Sequence, residues 1–444
     1  MSTRTPDPPP QPGASARAAA LDEGPPGGGS GRHGTFASLR YRDYRLLWFG
    51  QASHAAALWM EQIARPWLVL NITNESAAHV GGVVAMRTLP QMFFGVWAGV
   101  LADQFDRKTI LLATKVGVLT LNVVFVTLLV TGLMELWMIY VASFIRGSFM
   151  AFDQPARQSM IASIVPREIL TNAVALMSST QNVMRMVGVL ASGAVIATLG
   201  IEGAFIAVTV VYTGAVVSTA LLRVPTNRIA GSTMSFGGMT ESLKEGLRYA
   251  IGVPVIRSVL LMSLLFFVFG QSYLQVFAPL FARTTLDIGA IGFSLLIATS
   301  TIGALTGTMF IASRYPKRLG LILPVSVTLM GVALVVFSLT TYLPGALGLV
   351  VPFLVIPFVG AMQTVYFSLS NAAMLAAAPE HMRGRVVSLL SLDRAFVSAG
   401  ASLGGLLAAA QGVQVAQIVY GATLAILGLV VLMTAKNLRA YVAD

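Results

Sequence analysis

Twelve apolar runs, each near or above ~20 residues, decide what this chain can fold into. They lie near 46–70, 79–102, 109–131, 135–156, 172–199, 203–222, 256–281, 288–312, 319–341, 346–370, 384–410 and 413–435. A helix of that length crosses the roughly 30 Å hydrocarbon core of a bilayer. Lipid offers no partner to backbone N–H and C=O groups, so each run must satisfy its own, as a helix does. Of the 444 residues 56% are hydrophobic and only 11% charged, where soluble domains carry about a quarter. The expected fold class is all-α and integral to the membrane, with twelve transmembrane helices.

The formal charge of +11 would suggest nucleic acid in a soluble protein. Its placement says otherwise. Arg and Lys occupy the N-terminal tail, alternate loops (Arg107, Lys108; Arg157, Arg167; Arg223, Arg228, Lys244, Arg248; Arg314, Lys317, Arg318; Arg383, Arg385) and the C-terminus (Lys436, Arg439). The intervening loops hold Arg283 alone. By the positive-inside rule both termini face the cytoplasm, at the inner cell membrane, and the basic charge needs no nucleic-acid partner. There is no cysteine, and His33, His54, His79 and His381 lie far apart, so no metal or cofactor is expected. Nor is an enzyme, for want of a nucleotide loop, a metal cluster or a Ser-His-Asp arrangement.

Residues 1–35 are rich in Pro and Gly and cannot bury a core; they read as a disordered cytoplasmic tail rather than a cleaved signal peptide. Phe36–Arg45 reads as a short basic helix on the membrane surface. Residues 36–222 form an N-terminal six-helix half, 223–255 a cytoplasmic linker with a surface helix at Thr240–Ile251, and 256–444 a C-terminal six-helix half. The halves repeat in parallel. Gly95-x-x-x-Gly99 has a counterpart in Gly303-x-x-x-Gly307, each before a basic loop; Pro166–Leu176 aligns with Pro379–Leu389, and Gly188 with Gly400. Small residues at this spacing let helix backbones approach closely. Paired halves are the architecture of alternating-access carriers, with the substrate between them. A monomer in contact with membrane lipid suffices for that.

Charges inside spans are costly and mark a pathway or a paired structural site. In the first span His54, Glu61 and Arg65 share a narrow arc at about 100° per residue, flanked by Gln51 and Gln62. Glu61 is either a proton-coupling carboxylate or a permanent partner of Arg65. Arg146, Asp153 and Arg157 share one face of the fourth span, where Asp153 suits a cytoplasmic gate pairing with Arg107. The fifth span presents Gln181, Asn182 and Arg185. Asp393 serves transport or pairs structurally with Arg185 or another buried base. Arg87 is read as a pathway residue or a structural pair. Gln271, Tyr273 and Gln275, with Gln363 and Tyr366, suit a cavity for flat or amphipathic ligands.

These features resemble the major facilitator superfamily over residues 36–440. Gly99, Asp103, Arg107 and Lys108 match its loop motif between the second and third spans; Gln104 and Asp106 depart from it. Leu39–Trp48, Arg87-x-x-Pro90, Ala151–Gln158 and Arg383-Gly-Arg-Val386 resemble the branch of the enterobactin exporter and transmembrane secretion effectors. The resemblance implies proton-coupled export of a small amphipathic molecule such as a siderophore or drug. It makes Arg146 a proton-coupling candidate and the loop a cytoplasmic gate. Gly188–Gly193 partly resembles an antiporter motif, with Val189 and Ser192 as departures. An importer of the same fold, and a non-transporting scaffold, remain as alternatives.

Overall fold

The computed structural model describes residues 36–104, 106–223, 247–314, 319–377, 379 and 393–439. These residues contain helices and no strand. In chain order they are α1 (Arg42–Ile72), α2 (Ala77–Gln104), α3 (Arg107–Val130), α4 (Leu136–Ile164), α5 (Leu170–Ala220), α6 (Pro254–Thr285), α7 (Gly289–Arg314), α8 (Leu319–Thr340), α9 (Ala346–Ala377), α10 (Asp393–Gln411) and α11 (Val413–Thr434).

The expected fifth and sixth spans are the two limbs of α5. A straight helix of 51 residues would reach ~76 Å, more than twice a bilayer core. It turns back at Gly200, with φ 75° and ψ −177°, a backbone region open essentially to glycine.

Short polar contacts tie the helix ends. Asp106, a departure from the loop motif, caps α3: its Oδ2 accepts from Thr109 N at 3.1 Å and Thr109 Oγ1 at 2.9 Å, filling donors that every helix start leaves open. Lys108 Nζ donates to the Leu222 carbonyl at 2.6 Å, beyond the end of α5. Asp43 accepts from Arg223 N at 3.0 Å. The basic segment before α1 is not a separate surface helix. It is a 3-10 turn, Ala37–Arg40, running into α1, and Tyr44 anchors it by donating to the Ala173 carbonyl at 2.7 Å.

Within α6 the helix widens into π-turns at Phe266–Gly270, Tyr273–Phe277 and Phe281–Thr285. Gln271 N bonds Phe266 O at 2.9 Å, and Leu286 N bonds Phe281 O at 2.8 Å. Each such turn adds a residue and rotates whatever follows, so a face read at 3.6 residues per turn does not survive along α6.

The main packing partners are α1 with α5, α2 with α4, α7 with α9, and α8 with α11; α2 also packs on α10, and α5 on α7. Gly81 shows why α2 and α10 meet so closely. A Cβ there would collide with the Ala401 carbonyl, and Gly405 approaches from the same helix. Of the repeated small-residue pair, Gly303 and Gly307 face Pro357 and Ala361 of α9, whereas a Cβ at Gly95 would meet nothing within 4 Å.

Seven helices among the described residues are long and apolar enough to cross a membrane, fewer than the twelve runs expected. The two limbs of α5 count once. α1, α2 and α4, which carry Glu61, Arg65, Arg87 and Arg146, are not among the seven, and α10 is described only from Asp393. The outer surface is apolar, with Leu199, Met309 and Leu354 each about 70% exposed, as helices facing lipid require. The expected tail, most of the linker, and residues 380–392 lie outside the described residues.

Candidate functional site

Glu61 stands at the centre of the α1–α4 bundle. Its carboxylate contacts Arg65 one turn along α1 and lies 2.9 Å from Arg146 Nη2 of α4. Arg65 also donates to Ser143 at 2.8 Å, and its guanidinium lies 5.2 Å from the Phe125 ring centroid. Arg146 packs over the Tyr212 ring at 5.2 Å. Glu61 is 2% exposed and Arg146 1%. One carboxylate thus holds two guanidiniums in a site shut off from solvent. Glu61 and Arg65 lie one turn apart on α1, and their partner on α4 comes from the fold.

A second cluster lies two turns away, about 10 Å along the helix axes. Asp153 finds its partners elsewhere than the expected Arg107. Lys115 Nζ of α3 is 3.5 Å away and Arg157 Nε 3.4 Å. Lys115 is 2% exposed and was missed in the sequence, although a lone lysine inside the run 109–131 is the signal that singled out Glu61. His54 is buried beside Tyr212, ring centroids 5.5 Å apart. Gln51 is buried near it on α1. Of the loop motif, Arg107 and Lys108 begin α3, and Lys108 is engaged with Leu222. The side chains of Gly99 and Asp103 lie outside the described set.

Between the two sequence halves runs a line of half-buried polar groups. Arg87 of α2 donates to Gln62 Oε1 at 2.9 Å and to Gln275 Oε1 of α6 at 3.2 Å. Gln363 Nε2 of α9 donates to Gln271 Oε1 at 2.7 Å. Arg185 of α5 does not pair with Asp393; it lies over Trp59 at 4.6 Å. Gln181 is half-buried, and Asn182 is exposed.

The two tyrosines proposed for the cavity sit instead where α6 packs on α8 and α9. Tyr273 packs edge-on to Phe337 at 5.5 Å. Tyr366 bonds Ser263 at 3.1 Å and packs on Phe266 at 4.3 Å. Tyr273 stands two residues from each of Gln271 and Gln275, about 200° around the helix, and so points away from both. Asp393 begins α10 close enough for its charge to act on Tyr366.

At one end the halves are pressed together. Arg283 Nε lies 3.0 Å from Glu75, and its guanidinium covers Trp67, which stacks on Phe293 at 6.1 Å. The Gly81–Ala401 approach and a contact of Gly193 with Ser294 lie toward the same end. The arrangement can hold charge, shift protons between fixed partners, and bind a polar group between the halves. Among the described residues it offers no cluster of metal ligands.

A family model described as transmembrane secretion effector matches residues 33–443. The multidrug efflux pump Tap of Mycolicibacterium fortuitum is 27% identical over 398 residues, 87% of this chain and 94% of that protein. The staphyloferrin A transporter of Staphylococcus aureus (strain NCTC 8325 / PS 47) is 23% identical over 350 residues, 78% of this chain and 84% of that protein. Among solved structures, a POT family transporter in complex with a thioalcohol-conjugated peptide superposes with a TM-score of 0.71 at 12% identity. That match covers 89% of this chain and 96% of that one, and it shows the fold alone.

Proposed function

This chain belongs to the transmembrane secretion effector family of the major facilitator superfamily, and from that membership we propose that it exports a small amphipathic molecule in exchange for protons. The halves 36–222 and 256–444, six spans each with both termini inside, alternate access to a site between them. A siderophore or a drug is the kind of cargo the named relatives suggest.

The observation that carries the coupling is the Glu61 cluster. Its carboxylate is the shared counter-charge of Arg65 and Arg146. A proton on Glu61 removes the charge that holds both guanidiniums, so proton uptake and the fit of α1 against α4 change together. Release of the proton re-forms the pairs. Arg87 lies next to this cluster along a cleft shared with Glu61 and Arg65, and it bonds Gln275 of the other half. The proton site on α1 and the inter-half contact of α2 are therefore joined through Gln62, the neighbour of Glu61, which accepts from Arg87. The packed end at Glu75 and Arg283 is one gate. The other is the Gly99, Asp103, Arg107, Lys108 loop with Asp153, on the side where the chain bears its basic loops.

The test is efflux from proteoliposomes loaded in turn with carboxyfluorescein, an amphipathic anion, and ethidium, an amphipathic cation. A proton gradient should drive out at least one of them, and a protonophore should stop it. Glu61→Gln should abolish gradient-driven efflux while leaving exchange of dye across a gradient-free membrane. If the protonophore slows neither dye, antiport is wrong; if Glu61→Gln retains full gradient dependence, Glu61 is not the coupling group.

A further inference from the structure

The half-buried cations of the central face are not accounted for by the Glu61 cluster. Arg185 rests on the Trp59 ring, and its Nε has no hydrogen-bond partner. Arg87 is held by the amide oxygens of Gln62 and Gln275, which are neutral. Among the described residues, neither arginine has a carboxylate within ion-pair distance.

Trp59 and Gln62 are three residues apart on α1, and such positions are neighbours on a helix surface. Trp59, under Arg185, and Gln62, bonded to Arg87, therefore lie on one side of α1. All four residues are half-buried, unlike Glu61 and Arg146. Glu61, the carboxylate in the cleft with Arg87, already serves Arg65 and Arg146, so positive charge is in excess here and calls for an anion from outside.

We propose that Arg87 and Arg185 bind an oxyanion of the transported molecule, a carboxylate or a phosphate. This rests on the transporter reading and names its substrate class. A guanidinium presents a planar fork of donors that matches either oxyanion, two bonds at a time. Trp59 supplies an apolar face for the carbon skeleton. The oxyanion replaces the Gln275 oxygen on Arg87, and with it the hydrogen bond between the halves, so loading the site loosens that contact.

The full chain, purified in a neutral detergent, is titrated at constant ionic strength with citrate, inorganic phosphate, lysophosphatidylglycerol and triethyl citrate. Thermal unfolding reports binding. At least one of the three anions should raise the midpoint saturably, and triethyl citrate, the same skeleton without charge, should not. The anion that acts distinguishes a carboxylate cargo, a free phosphate and a lipid headgroup. Arg87→Gln and Arg185→Gln should each weaken that binding about tenfold, and Arg→Lys at either site should restore part of it. Arg257→Gln, which removes an exposed cation at the start of α6, should bind as the unaltered chain does. The proposal is overturned if no anion binds saturably, if triethyl citrate matches citrate, or if both Gln variants bind normally. Gradient-driven efflux of ethidium with no anion binding would leave the exporter standing and remove this inference alone; anion binding without efflux of either dye would do the reverse.

Discussion

Arg146 Nη2 of α4 lies 2.9 Å from Glu61 Oε2 of α1, with both side chains almost wholly buried. Removing one member of a buried ion pair strands the other and costs about 3–5 kcal/mol. Arg146→Gln leaves Glu61 with Arg65 alone, while Glu61→Gln leaves two cations without their carboxylate. Both should lower the thermal midpoint in detergent, with Glu61→Gln the more damaging. Equal midpoints for both variants and the unaltered chain would show that water already screens the site.

Lys115 and Asp153 make a second case with a built-in control. Asp153→Asn leaves Lys115, 2% exposed, without its carboxylate, and should cost a similar ~3–5 kcal/mol. Lys115→Met combined with Asp153→Asn removes both charges and should recover a large part of that loss. A double variant as unstable as Asp153→Asn alone would mean that the damage is not electrostatic.

The Arg87–Gln275 bond is one polar link between the sequence halves, close to that of Ser398 Oγ to the Ala85 carbonyl at 3.4 Å. Hydrogen bonds to a charged group contribute about 1.5–3 kcal/mol, enough to shift a two-state balance severalfold or more. Gln275→Ala should therefore raise the population in which the Glu75 end is open. The chain has no cysteine, so a Cys at Ser76 gives a clean labelling site. Its modification rate by a membrane-impermeant maleimide should rise in Gln275→Ala; an unchanged rate would show that the bond does not bias the gate.

Gly81 tests the packing at the same end. Any side chain there meets the Ala401 carbonyl, a backbone atom that cannot step aside. Gly81→Leu should hold α2 and α10 apart, raise labelling of Ser76→Cys, and slow efflux of whichever dye the unaltered chain moves. Gly95→Leu, which meets open space, should do neither. Equal labelling in the two Leu variants would count against a gate at Gly81.

The all-helical, membrane-spanning character of this protein was decided by its sequence. Run length and apolarity are local, and lipid leaves a backbone no other way to satisfy its hydrogen bonds. The same locality made Glu61, Arg65 and Arg146 legible as candidates, because a charge within an apolar run is conspicuous wherever it later points. What the sequence could not decide was pairing. Asp153 takes Lys115 from α3 rather than Arg107, and Arg185 takes Trp59 rather than Asp393. These choices depend on which helices cross at which depth. The cavity wall on α6 was misread for a related reason. Tyr273 and Gln275 are two residues apart, about 200° around the helix, so Tyr273 meets Phe337 while Gln275 reaches Arg87. Which of the two sides faces the other half leaves no mark in hydropathy. Only the packed structure, in which α6 meets α2, α8 and α9 at once, fixes where those side chains go.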